Sequence, residues 1–202
     1  MKKVLWLLVF CLWPLGCRNN ETVKLQDGDI IFHTSTSSQS KAIQAATNSR
    51  YSHVGLIYQK DNKRYVFEAI QPVKLTPLQD WIKRGKGQHH VVKRLKNSER
   101  VLTYAAIEKM KEEGRKYLGK SYDSYFEWSD ERIYCSELVW KIYKNVLDIE
   151  LGKLQRIKDF DLSHPEVNEK LKERYGDNIP LDELVISPEQ IFKSDLLKTV
   201  IE

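Results

Sequence analysis

The chain has 202 residues, enough for one ordinary domain with a well-filled core. Its apolar fraction of 41% and charged fraction of 30% exclude a disordered chain and a coiled coil. The formal net charge is +5, and removal of Lys2 and Lys3 leaves +3 for residues 17–202. Basic and acidic residues are interleaved, as between Lys170 and Arg174, so the sequence predicts no nucleic-acid partner.

The N-terminal segment is typical of an export signal. Two lysines precede a short apolar run, residues 4–12, which is too short to span a bilayer comfortably. The run is followed by Gly16-Cys17, which resembles a bacterial lipobox with an acylated cysteine, although Pro14 departs from the leucine usual there. We predict a signal at 1–17, a tether at 18–24 and a single domain at 25–202. Ordinary cleavage nearby and an uncleaved anchor are the alternatives to lipidation of Cys17.

The remaining chain alternates between strand and helix patterns. Strands are predicted at residues 30–32, 52–58, 64–70 and 90–95, with a turn at 61–63 that makes the middle pair a hairpin. Helices are predicted at about 40–47, from Thr76-Pro77, at 102–118, at 135–147, at 163–176 and from Ser187-Pro188. These elements predict an α+β protein in which an antiparallel sheet packs against two or more helices.

Cys135 is the candidate nucleophile. Apolar side chains recur at helical spacing from residue 138 to 147, which places Cys135 in the first turn of a helix. Free backbone N–H groups and the positive end of the helix dipole stabilise a thiolate there. Since Cys11 leaves with the signal and Cys17 is lipidated or lost, Cys135 is the only internal thiol, and its retention in an exported chain indicates a chemical use. The alternative is a small, buried and inert cysteine.

A thiol nucleophile needs a base, and the base needs a group that fixes its tautomer. Of the five histidines, only His53 has a matching acid, Glu68, roughly opposite on the returning strand of the same hairpin. A structural histidine and a solvated glutamate are the alternatives. The adjacent His89 and His90 have no acid or thiol spaced to complete a metal site, so we predict no metal and no cofactor.

Four short motifs follow one another along the chain: GDII at 28–31, SHVG at 52–55, FEA at 67–69 and YCSELVW at 134–140. In this order and spacing they resemble the circularly permuted papain-fold enzymes of the YiiX group. Those enzymes are relatives of the NlpC-type cell-wall peptidases and, more distantly, of lecithin–retinol acyltransferase. Permutation explains why the histidine precedes the cysteine here, whereas ordinary papain-like enzymes have the reverse order.

The resemblance implies a circularly permuted papain-like (NlpC-like) fold in which an antiparallel sheet packs against the helix that bears Cys135. It also implies Cys135 as nucleophile, His53 as base and Glu68 as the polar third member. An aromatic segment precedes the nucleophile, and we predict that Tyr122, Trp128 and Tyr134 line a substrate cleft; the alternative is that these rings cover the end of the core.

Three functions remain open from the sequence. The first is an exported cysteine amidase or peptidase that cleaves amide bonds in the cell envelope, such as those of cell-wall peptides, through an acyl-enzyme. The second is a lipid acyltransferase or thioesterase with the same triad, and the third is a non-catalytic surface lipoprotein. The expected partners are an amide- or ester-containing envelope substrate and, through Cys17, the membrane. Fold analogy does not choose between the first two.

Overall fold

A computed structural model describes residues 24–202, so the predicted signal, Cys17 and the tether up to residue 23 lie outside the described residues. The strands are β1 (Ile30–His33), β2 (His53–Lys60), β3 (Lys63–Glu68), β4 (Lys74–Pro77), β5 (His90–Leu95), β6 (Gln155–Arg156), β7 (Leu184–Val185) and β8 (Leu197–Ile201). Six of them form one antiparallel sheet in the order β4-β3-β2-β1-β5-β8, and β6 pairs separately with β7.

The helices are α1 (Ser38–Thr47), α2 (Leu78–Arg84), α3 (Ser98–Val101), α4 (Tyr104–Arg115), α5 (Cys135–Leu147), α6 (Pro165–Tyr175) and α7 (Pro188–Phe192). Two short 3₁₀ turns occur at Lys86–Gln88 and Ile157–Asp159. Within residues 24–202, none of these helices has the length and apolar character needed to cross a membrane.

The structure confirms the α+β class and the antiparallel sheet, and it corrects one predicted helix start. Thr76 does not cap α2, which begins at Leu78 without a side-chain cap. Thr76 instead belongs to β4, and its hydroxyl donates a hydrogen bond to Glu68 at 2.5 Å. The capping pattern was therefore misleading because a buried carboxylate uses the threonine hydroxyl. By contrast, Ser187 caps α7 as predicted, with its hydroxyl accepting from the Gln190 amide at 3.2 Å.

The two faces of the sheet carry separate cores. The larger core lies on the side of α5, where Leu138 and Ile142 join Phe32 and Leu56 in one buried cluster. On the opposite face a smaller cluster gathers around Trp81 of α2. Strand alternation sends successive side chains to opposite faces, which is why neighbouring residues of one strand belong to different cores. Side chains from the two faces of the sheet come together at the end of the sheet where β2 begins.

Gly55 lets the two strands of the central hairpin approach closely. Leu56 pairs with Phe67, so continuation of this register sets Glu68 beside Gly55 and leaves His53 two residues further along the same face. The predicted opposition of His53 and Glu68 is therefore a diagonal one. A Cβ atom at Gly55 would lie 2.4 Å from Val66 Cγ1 and 2.9 Å from the Phe67 carbonyl oxygen. Only glycine fits without a shift of the backbone.

We expect Gly55→Ala to destabilise the fold by about 1–3 kcal/mol, because the added methyl group overpacks the hairpin. Urea denaturation measures the free energy of unfolding. Gln59→Ala, at an exposed position of the same strand, is the control and should change it by less than about 0.5 kcal/mol. Equal stability of Gly55→Ala and the wild type would contradict the close approach.

Candidate active site

Cys135 is the first residue of α5 and is only 2% exposed. The helix forms because apolar side chains at Leu138, Val139 and Ile142 recur on the face that packs against the sheet. Its first turn is tied down by Ser136, whose hydroxyl donates to the Ile186 carbonyl at 2.7 Å. The thiol is thus fixed at a helix N-terminus, where backbone N–H groups are available to an anion.

The His53 imidazole connects the thiol to Glu68. Its Nε2 lies 2.6 Å from Glu68 Oε2, and Cys135 lies near enough to the ring to influence its pKa. Burial alone would lower the pKa of His53, but the nearby Cys135, followed by Glu68, raises it from 6.5 to about 9. Protonation of His53 therefore stabilises the fold below pH 6.5, and this contribution is lost as the pH rises through about 9.

Glu68 is a fully buried carboxylate that is held ionised from three sides. Besides His53, it accepts hydrogen bonds from Thr76 of β4 and from Arg84 at the end of α2. Burial by itself would raise the pKa of Glu68, yet the hydrogen bond and charge of His53, the Thr76 hydroxyl and Arg84 together lower it to about 2. Sequence reasoning missed Thr76 and Arg84, since no spacing rule connects a short edge strand and the following helix to this carboxylate.

A second buried histidine supports the first. His33 of β1 pairs with His53 across the sheet, and its ring stacks on Trp81 with centroids 3.9 Å apart. Burial, and next the charge of His53, lower the pKa of His33 to about 3, so this ring is neutral at physiological pH. Gly85 packs directly on it, since a Cβ there would lie 3.0 Å from His33 Nδ1. His33 thus offers His53 an uncharged aromatic wall.

A cavity of about 110 Å³ opens beside the sulfur between α1, α5 and α6. Its lining is predominantly apolar and includes Cys135 itself. Two of the three predicted cleft residues, Tyr122 and Tyr134, line this cavity together with Phe126 of the same aromatic segment. Tyr122 lies near Cys135 in this lining.

Trp128, the third predicted cleft residue, is placed elsewhere. Its ring packs edge to face on Trp140 with centroids 5.3 Å apart, and Lys141 Nζ lies 5.1 Å from its centroid. It is not among the cavity-lining residues, so the structure supports the alternative interpretation for this ring: it covers the end of the core. The sequence places Trp128 in a polar loop, and this position alone does not distinguish a cleft residue from one that covers the core.

Lys141 anchors the aromatic loop to the nucleophile helix. Its ammonium contacts the Ser129 carbonyl at 2.7 Å, Asp130 Oδ1 at 2.8 Å and Glu137 Oε1 at 2.8 Å. Burial, which outweighs the Lys141 contact, raises the pKa of Glu137 to about 7. These contacts join Ser129 and Asp130 of the loop to α5.

Comparison with known proteins identifies the family. The family of permuted papain-like amidase enzymes, YaeF/YiiX, C92 family, matches residues 24–201. This chain belongs to that family. The uncharacterized protein YiiX of Escherichia coli strain K12 is 51% identical over 175 residues, which cover 87% of this chain and 85% of the relative. The crystal structure of metalloprotein YiiX from Escherichia coli O157:H7 matches with a TM-score of 0.84 at 51% identity, covering 88% of this chain and 97% of that one. The predicted resemblance and the permuted papain-like fold are thereby confirmed.

We expect His53 to titrate near pH 9 in the wild type and at a lower pH in Cys135→Ala, because that variant loses the largest influence that raises the pKa while burial remains. Nitrogen-detected NMR of the histidine rings measures both values. His33 is the internal control and should stay neutral from pH 5 to pH 10 in both proteins. An unchanged His53 titration would show that sulfur and imidazole are not coupled.

Proposed function

We propose that this protein is a cysteine amidase that cleaves amide bonds through an acyl-enzyme on Cys135. The observation that carries the proposal is the placement of Cys135, at the start of α5, near the His53 imidazole, which is hydrogen-bonded to the Glu68 carboxylate. Membership of a family of permuted papain-like amidases supports the same reaction class. In this arrangement a nucleophile lies near a base, and an orienting acid is hydrogen-bonded to that base.

The reaction proceeds in two displacements. An imidazolium on His53 favours the thiolate, and the sulfur attacks the carbonyl carbon of the substrate to form an oxyanion. His53 then gives its proton to the leaving nitrogen, the C–N bond breaks, and the amine departs while the acyl group stays on sulfur as a thioester. In the second displacement His53 takes a proton from water, which attacks the thioester and releases the acid. Glu68 holds the imidazole orientation throughout.

Two donors serve the oxyanion in this proposal. One is the backbone N–H of Cys135 at the start of α5. The other is the Tyr122 hydroxyl, because Tyr122 and Cys135 line the same cavity. Burial, and next the charge of Cys135, raise the pKa of Tyr122 well above its ordinary value, so the phenol keeps the proton that it must donate.

The cavity indicates that the protein recognises the acyl part of the substrate. Because its wall beside the sulfur is apolar, the group that remains on sulfur as a thioester is best matched by an apolar acyl chain. This observation favours the second candidate function, a lipid acyltransferase or thioesterase with the same triad. Cell-wall peptides, which carry many polar groups, remain the alternative substrate that export to the envelope supports.

Location and metal content complete the proposal. We propose an exported protein held at the envelope membrane through Cys17, supported by the charged and apolar pattern of the leader.

The relative from strain O157:H7 is called a metalloprotein. In this chain, no three of the His, Cys, Asp and Glu residues between 24 and 202 lie together as a ligand set, so the residues do not fit a resident metal ion. No step of the proposed mechanism therefore passes through a metal ion.

We expect Cys135→Ala to lower kcat by on the order of 10⁶, because no other group at the site can form the thioester. Glu68→Gln should lower it by up to about 10⁴, since the imidazole loses its orienting charge. The protein is exposed to a thiol-reactive acyl probe, and mass spectrometry detects the covalent adduct directly. A circular-dichroism melt serves as the folding control, and an adduct or undiminished turnover in folded Cys135→Ala would refute the assignment.

A substrate panel separates the candidate functions. Purified protein is incubated with muropeptides, with N-acylated amino-acid amides of increasing chain length and with phospholipid, and products are followed by mass spectrometry. We expect amine release from the long-chain amides to exceed release from muropeptides, because the apolar cavity contributes about 0.8 kcal/mol for each buried methylene. Transfer of fatty acid from phospholipid would favour the lipid enzyme. Inactivity on every substrate together with an unreactive thiol would favour a non-catalytic lipoprotein.

A further inference from the structure

Helix α6 presents two cations to the cavity beside Cys135. Val167, Lys170, Leu171 and Arg174 follow the i, i+3, i+4, i+7 spacing of one helix face, and all four line the cavity. The facing residues of α1 that also line it are neutral. No aspartate or glutamate is found among the lining residues of the described chain. The lining is therefore mainly apolar and includes two basic residues but no carboxylate.

The two cations differ in their partners. Lys170 forms an ion pair with Glu173 on the neighbouring turn, so its charge is largely compensated. Arg174 takes part in none of the ion pairs formed among residues 24–202; its guanidinium carbon instead lies 5.1 Å from the centre of the Phe126 ring, which also lines the cavity. Burial lowers the pKa of Arg174, consistent with loss of water around the guanidinium. Arg174 is thus a half-buried cation with free donor groups at an apolar cavity.

A guanidinium in this position favours a negatively charged ligand group. Its planar fork matches a carboxylate or a phosphate through two parallel hydrogen bonds, and the interaction is stronger where water is partly excluded. The Phe126 face holds the guanidinium plane through a cation–π contact and limits its rotation. Apolar walls on the same cavity take the hydrocarbon part of the ligand.

We propose that the cavity selects substrates that combine an apolar chain with an anionic group, and that Arg174 determines this selectivity. The proposal rests on the proposed function in one respect, that the cavity beside Cys135 receives the substrate. It goes further by naming the charge of the substrate and the residue that recognises it. The anionic group of the substrate is either a carboxylate or a phosphate, since both match the guanidinium.

The test measures binding of unreactive ligands that share one chain length. Dodecanoate, dodecyl phosphate, dodecanol and dodecyltrimethylammonium are titrated below their aggregation concentrations, and binding is followed by isothermal calorimetry. We expect the wild type to prefer the anions to the alcohol by roughly 10- to 100-fold, the value of a charged hydrogen bond. Dodecanoate and dodecyl phosphate distinguish a carboxylate from a phosphate as the preferred anion. None of the four ligands can acylate Cys135, so the result does not depend on the reaction.

Arg174→Gln should abolish the preference for anions and leave dodecanol binding unchanged, while Arg174→Lys should keep part of it because the charge remains. Lys172→Gln is the matched control: it removes one positive charge from the same helix at an exposed position outside the cavity, and the preference should persist. Equal affinity of the wild type for dodecanol and the anions, or an anion preference that survives Arg174→Gln, would overturn the proposal. An inactive thiol with intact anion selectivity would instead count against the amidase mechanism alone.

Discussion

The candidate site depends on a single buried charge, the Glu68 carboxylate. A carboxylate with no exposed surface costs several kcal/mol unless other groups replace its water. Here β2 supplies His53, β4 supplies Thr76 and α2 supplies Arg84, so three separate elements must be in place before the charge is stable. Loss of one partner from such a group typically costs about 3–5 kcal/mol, which couples the geometry of the site to the stability of the fold.

This arrangement also explains why the site lies at the end of the sheet. Helix α5 packs on one face, and α2 with Trp81 covers the other. At the start of β2, the His53 imidazole lies near Cys135 of α5 and is hydrogen-bonded to Glu68, which Arg84 of α2 also contacts. Because contacts between side chains do not depend on the order of elements along the chain, circular permutation leaves the chemistry of a papain-like site intact.

The residues around the sulfur determine the choice of substrate more than the type of reaction. In the proposed mechanism, Cys135 attacks a carbonyl carbon, which amides, esters and thioesters share. The choice among them depends on the cavity formed by α1, α5 and α6, on the loop that Lys141 ties to α5, and on the uncompensated cation at Arg174. The apolar lining of the cavity favours a ligand with an apolar body, whereas Arg174 favours an anionic group on that ligand.

The sequence by itself determined the α+β class and most strands and helices, because alternation and helical spacing are local properties of the chain. It also predicted Cys135, His53 and Glu68 as the candidate triad from the order of four short motifs. It could not determine the diagonal register of His53 and Glu68, the edge strand β4, or the exchange of Thr76 from a helix cap to a ligand of the carboxylate. Nor could it separate Tyr122, which lines the cavity beside Cys135, from Trp128, which packs on Trp140. Only the tertiary structure decided these points, since each depends on which distant groups compete for the same buried space.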